Sequence, residues 1–178
     1  ITYPVVSALR SDIDTLVVFD AHLDLRGEYL GSEINHATVM RNILENLNIP
    51  IVFVGVRAYS FDEISYLSST ASGEVTVCDV NKVVRGECVF GDYGRAYLSI
   101  DIDVLDPAYA PGVSNPEPFG LTPREFMHAL ESVLEHTGKL VGVDVVEVNP
   151  LVDVNDITSI LAAKIIVELV GYVEEWFK

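Results

Sequence analysis

The sequence predicts an α/β fold: a three-layer arrangement in which a parallel β-sheet is flanked by helices on both faces. Three observations carry this. Short β-branched runs alternate with longer helical patterns from end to end, the mark of successive strand-helix-strand units. Hydrophobic residues make up 49% of the 178 positions and charged residues 21%, enough apolar surface to cover both faces of a sheet. The one long Gly/Pro-rich stretch follows a strand, where open α/β sheets carry their function.

Taken in order, Tyr3–Leu9 reads as a short opening helix and Thr15–Asp20 as the first strand. Helix Ala37–Asn46, strand Ile51–Gly55, helix Phe61–Leu67 and strands Val75–Asp79 and Ala96–Asp101 follow. Four prolines between Asp106 and Gly120 forbid helix and ladder alike, so that segment is an ordered loop. Thr122-Pro123-Arg124-Glu125 is the clearest helix start, with a capping hydroxyl, a proline at the first helical position and a glutamate at the third. Phe126, Leu130, Val133 and Leu134 continue its apolar stripe until Gly138. Strand Leu140–Val148 and a long helix from Asp156 toward Trp176 complete the pattern. No repeat, low-complexity tract or linker divides the chain, so residues 1–178 read as one domain. The chain opens at Ile1 without a methionine and already in an apolar pattern, which reads as a fragment.

Charge and composition narrow the function. Eleven Lys and Arg against 27 Asp and Glu give a net charge of −16, which repels nucleic acid and anionic lipid and favours metal ions or cationic small molecules. The mean hydropathy is high, +0.33, yet each apolar run breaks before the roughly 20 residues of a membrane span. Cys78 and Cys88 are too few for a disulfide scaffold and read as packing residues of a cytoplasmic protein.

The chemistry gathers at two strand ends. Asp20, His22 and Asp24 alternate directly after Leu16-Val17-Val18-Phe19, so a persisting strand would turn all three to one face. Asp101 and Asp103 alternate after Tyr97-Leu98-Ser99-Ile100. In a parallel sheet both ends lie on one edge, and four carboxylates so close raise one another's pKa unless a cation sits between them. An oxygen-rich set with one imidazole suits manganese better than zinc. One Asp-x-Asp at a strand end commonly serves only as a cap; two acidic clusters in one short chain outweigh that reading. A helix-loop-helix calcium site fails, because Asp106 and Gly112 stand at the sixth and twelfth positions from Asp101, where glycine and glutamate are required.

These residues resemble the ureohydrolases, meaning arginases, agmatinases and their relatives. Asp20-Ala21-His22-x-Asp24 and Ser99-Ile100-Asp101-Ile102-Asp103-Val104-Leu105-Asp106-Pro107-x-x-x-Pro111-Gly112 are similar to two motifs of that family, and Glu147-Val148-Asn149-Pro150 resembles a third. The order and spacing agree from Ile1 to the last helix. The resemblance implies an arginase/deacetylase-like three-layer fold, incomplete at its N-terminus. It also implies a site with two Mn2+ per subunit: Asp20 and Asp101 bridging, Asp24 completing one ion, His22 and Asp103 the other. The family's remaining ligand, a histidine in Gly-Gly-Asp-His-Ser, would precede the segment that resembles Ile1-Thr2-Tyr3-Pro4 and is not in this sequence.

By the same resemblance, two divalent ions make hydroxide available near neutral pH for attack on a guanidinium carbon. Asp24 orients it, Glu147 grips the guanidinium through two parallel N–H bonds, and His36 shuttles the proton to the leaving amine. His128 and His136 read as structural or solvated, and Asp144 as a buried acid that either backs a ligand of the site or is structural. The implied substrate is a cationic guanidino compound. Agmatine comes first, because the Asn- and Ser-rich arginase pattern is absent from Leu25–His36, where Glu28 or Glu33 is placed to meet a distal ammonium. Val113-Ser114-Asn115-Pro116 and Phe119 depart from the family's substrate loop, which leaves arginine, aminopropylagmatine and guanidinobutyrate as alternatives. A metal-deficient, non-catalytic relative and a different metallohydrolase are the competing classes. Family members usually form homo-oligomers, trimers or hexamers.

Overall fold

The computed structural model describes residues 1–70 and 74–175. Its elements, in chain order, are α1 (Thr2–Ala8), β1 (Thr15–Phe19), α2 (Val39–Leu47), β2 (Ile51–Val56), α3 (Phe61–Ser69), β3 (Val75–Asp79), α4 (Val80–Arg85), β4 (Arg95–Asp101), α5 (Pro123–Glu135), β5 (Lys139–Val146) and α6 (Ile157–Glu175). The five strands form one sheet in the order β3-β2-β1-β4-β5, every pair parallel.

Both faces of the sheet are covered because the central strands are apolar at consecutive positions. Leu16, Val18, Ile51, Phe53 and Tyr97 point to one side and pack with Val6 of α1 and with Met40, Ile43 and Leu44 of α2. Val17, Phe19, Val52, Val54, Leu98 and Ile100 point to the other and pack with α5 and α6 through Phe126, Leu130, Val133, Ile165 and Leu169. The α5 start folds as its sequence requires: Thr122 Oγ1 accepts from the Glu125 N–H at 3.2 Å, and Glu125 accepts from the Thr122 N–H at 2.8 Å.

Four expectations change. A sixth helix, α4, follows β3 directly, capped by the Asp79 carboxylate and ended by Gly86 at φ 66°. A disulfide joins Cys78 to Cys88 across it, with Cα atoms 5.6 Å apart, so these are not merely packing residues. Asp144 is half-buried rather than buried, because β5 lies at the edge of the sheet; it accepts from Tyr97 Oη at 2.9 Å and Ser99 Oγ at 2.7 Å. The strand itself ends at Val146, before Glu147. Trp176, the expected end of α6, lies outside the described residues. No helix among the described residues is long and apolar enough to cross a membrane.

Candidate metal centre

The sheet reverses its winding between β1 and β4, and that is where the acids collect. Thr15 to Phe19 run beside Ala96 to Ile100 in register, so Asp20 and Asp101 leave the sheet side by side. Asp101 lies opposite Val146 on β5, which places Glu147 at the same edge. A switch point of this kind leaves a crevice beyond the strand ends.

The two clusters reach the crevice by turns rather than by continued strands. β1 stops at Phe19, and Asp24 takes a left-handed conformation, φ 51°, that the extended reading did not foresee. Its carbonyl accepts from the Met40 N–H at 3.2 Å, and Glu63, itself buried, accepts from the Leu25 N–H at 3.0 Å. α2 and α3 thereby hold the loop in place. After β4 the chain enters a 3-10 turn at Ile102–Val104, in which Asp101 accepts from the Asp103 N–H at 2.9 Å. Asp103 in turn accepts from the Ala21 N–H at 3.1 Å and ties the clusters together.

Asp20, His22 and Asp103 offer ligand atoms within 4.8 Å of one another. His22 Nδ1 lies 3.0 Å from Asp103 Oδ2 and 3.5 Å from Asp20 Oδ1. Asp20, Asp101 and Asp103 are all buried. Burial pushes the Asp20 carboxyl up to about 7, against the lowering effect of its bond with His22. Burial and then the Asp20 charge raise Asp24 and Asp101 well above the ordinary carboxylate range. Burial opposes a charged His22, but its bonds to Asp103 and Asp20 prevail and raise it to about 10. Acids that disfavour one another's charge, facing one imidazole, form a donor set suited to divalent cations with oxygen preference.

Two cavities, of about 500 and 300 Å3, flank these acids, and Asp20, Asp24, His36, Asp101 and Glu147 line both. His36 sits on a 3-10 turn capped by Asn35, its ring edge-on to Tyr29 at 5.5 Å. Glu147 is exposed, with φ 64°. Glu28 and Glu33 line neither cavity. His128 and His136 are both exposed and line a separate surface groove, with His136 Nδ1 2.8 Å from the Ser132 carbonyl oxygen.

Two residues at the site were missed. The Arg57 guanidinium donates to the carbonyls of Asp103 (2.7 Å), Val104 (3.1 Å) and Glu117 (2.7 Å), binding the Asp103 turn to the Gly/Pro-rich loop. From that loop the Asn115 amide meets His22 Nε2 at 2.9 Å. Neither carries a local signal, since each contact spans the sequence.

The model of the Arginase family matches residues 1–171. Agmatinase of Pyrococcus horikoshii is 37% identical over 170 residues, 96% of this chain and 58% of that protein. Among solved structures, agmatine ureohydrolase of Thermoplasma volcanium is 34% identical with a TM-score of 0.80, covering 97% of this chain and 60% of its own. Arginase from Medicago truncatula is 31% identical with a TM-score of 0.79, covering 93% and 54%. The chain spans 52%, 58% and 61% of the first three curated relatives' own lengths.

Proposed function

The chain belongs to the arginase family, and from that premise we propose that it carries the metal-binding and guanidinium-binding part of a ureohydrolase that converts agmatine to putrescine and urea. The observation that supports this best is the convergence of Asp20, Asp24, His36, Asp101 and Glu147 on one crevice. Asp20, His22, Asp24, Asp101 and Asp103 would hold two Mn2+. Such cations supply positive charge that lowers the pKa of water toward neutrality.

The chain's own residues do the rest. Glu147 pairs with two guanidinium N–H groups and fixes the carbon at the acids. Asp24 accepts a hydrogen bond from the attacking water and orients it. Addition to the guanidinium carbon and cleavage of its bond to the alkyl nitrogen leave urea, and His36 delivers the proton that the departing amine takes. The apolar wall of the larger cavity, with Ile34, Val39 and Met40, suits a polymethylene chain. Trimeric or hexameric assembly is carried over from the family, and a monomeric mass in sedimentation would remove it.

A related guanidino substrate is the second reading. Glu28 and Glu33 stand away from both cavities, and Asn115 and Phe119 depart from the family loop. Urea release from agmatine, arginine and guanidinobutyrate by Mn2+-loaded protein separates the readings. Asp101→Asn is expected to abolish turnover and metal binding while the far-UV circular dichroism is kept. Full turnover in that variant would contradict the site.

A further inference from the structure

We propose that Asn42 and Asn46 on α2 form the subsite that receives the distal ammonium of the substrate, and so select an aminoalkyl guanidine over one that ends in a carboxylate or a methyl group; the proposal rests on the guanidinium-binding crevice described above. Both amides line the larger cavity, whose acids are Asp20, Asp24, Asp101 and Glu147. The direction of α2 sets the amides apart from those acids. The Met40 and Arg41 N–H groups in its first turn donate to the Asp24 carbonyl at 3.2 and 3.4 Å, and such groups point back along the helix axis, so Asp24 lies off the N-terminal end. From Met40 the helix advances about 3 Å to Asn42 and about 9 Å to Asn46. The six bonds between the guanidinium carbon and the amine nitrogen of agmatine span about 7 Å when extended. A guanidinium held at the acids thus brings the amine to the level of the pair.

Asn42 can only accept there. Its Nδ2 donates to the carbonyls of Glu33 at 2.8 Å and Thr38 at 2.9 Å, which engages both amide protons and fixes the plane of the group. Oδ1 is left on the side of Asn46, whose Nδ2 donates to it at 3.3 Å. An amide oxygen has two lone pairs, so Asn42 Oδ1 keeps one for a ligand, and Asn46 Oδ1 accepts no hydrogen bond among the described residues.

An ammonium brings three protons and no lone pair, the complement of two carbonyl oxygens. A carboxylate brings lone pairs alone and meets the fixed Asn42 oxygen as a repelling dipole. No lysine or arginine side chain lines this cavity among the described residues, so none offers a carboxylate its counter-charge. A methyl end would cover the amide oxygens and give them no donor in place of water.

The test is calorimetric titration of chain 1–178 in excess Mn2+ with agmatine, butylguanidine and guanidinobutyrate, which share a guanidinium and end in an ammonium, a methyl and a carboxylate. Wild type is expected to bind agmatine about 10-fold more tightly than butylguanidine, the effect of a hydrogen bond to a charged group, and guanidinobutyrate most weakly. Asn42→Leu is expected to remove that 10-fold preference. Asn42 also holds two backbone carbonyls, but a merely structural role would weaken both ligands alike and keep their ratio. Asn46→Asp, at an exposed helix position, sets a carboxylate beside the ammonium and is expected to raise the preference for agmatine about threefold. Equal affinity of wild type for agmatine and butylguanidine, or a ratio that neither variant moves, overturns the proposal alone. A wild type that binds none of the three overturns the guanidinium-binding crevice and the proposal with it.

Discussion

Asp24 and Glu147 hold φ values of 51° and 64°, a region that costs a side-chain-bearing residue of the order of 1 kcal/mol or more. Such conformations persist where the surroundings dictate them, and both residues face the crevice. Asp20 carries the other cost. Its carboxyl rises on folding from 3.8 to about 7, so the folded chain holds that proton more tightly than the unfolded one. The stability this contributes is present in full below 3.8 and is lost as pH rises through about 7. A cation competes with the same proton. Mn2+ affinity is therefore expected to fall with pH already below about 10, where His22 holds a proton, and more steeply below about 7, approaching tenfold per unit for each displaced proton. Calorimetric titration between pH 8 and pH 6 checks this, and a slope that does not steepen through about 7 would remove the buried carboxyl from the ligand set. Arg57 binds no cation, yet its guanidinium holds the Asp103 turn through backbone carbonyls. Arg57→Met leaves those carbonyls without their donor and is expected to cost about 3 kcal/mol in denaturant unfolding.

Among the elements, the end of β2 limits the site most tightly. Gly55 has φ 97°, and a Cβ there would lie 2.4 Å from Val104 Cγ2, on the turn that presents Asp103. Gly55→Ala is expected to lower stability by about 2 kcal/mol and to weaken Mn2+ binding, because the turn must move to make room. α6 depends on its entry in a different way. Asp153 accepts from the Thr158 and Ser159 N–H groups; these bonds outweigh burial and hold its carboxyl at about 2. A lowered carboxyl stabilises the fold above its unfolded pKa and stops doing so as pH falls through the folded value. Asp153→Asn is expected to melt below wild type at neutral pH and together with it near pH 2, as read by circular dichroism. The strands were legible because β-branched runs buried on both faces leave a continuous apolar signature. α4 was not, since six residues are too few to show a helical period, although its Asp79 cap and Gly86 end stand in the sequence. The acids were legible because each cluster is local. Their true path was hidden: the Asp24 bend is set by α2, and Arg57 and Asn115 meet partners 46 and 93 residues away.

For the molecule as a whole, a net charge of −16 on 178 residues is a field as well as a set of ligands. Self-repulsion of that size destabilises the compact state and draws cations toward the sheet edge where the buried acids lie. Two effects of added metal salt must then be separated. Screening acts on the whole surface: as NaCl rises from about 10 to about 200 mM, the Debye length shortens from about 30 Å to below 10 Å, and Tm is expected to climb gradually without saturating at any stoichiometry. Occupation of the crevice acts only on the native state, so its stabilisation grows with the logarithm of free ion concentration above Kd. Micromolar Mn2+ at constant ionic strength is accordingly expected to raise Tm where micromolar Na+ does nothing, and Asp101→Asn is expected to lose that rise while keeping the NaCl response. Were the variant to keep both, the cations would be answering the field of the whole chain, and the five proposed ligands would have no separate claim on them.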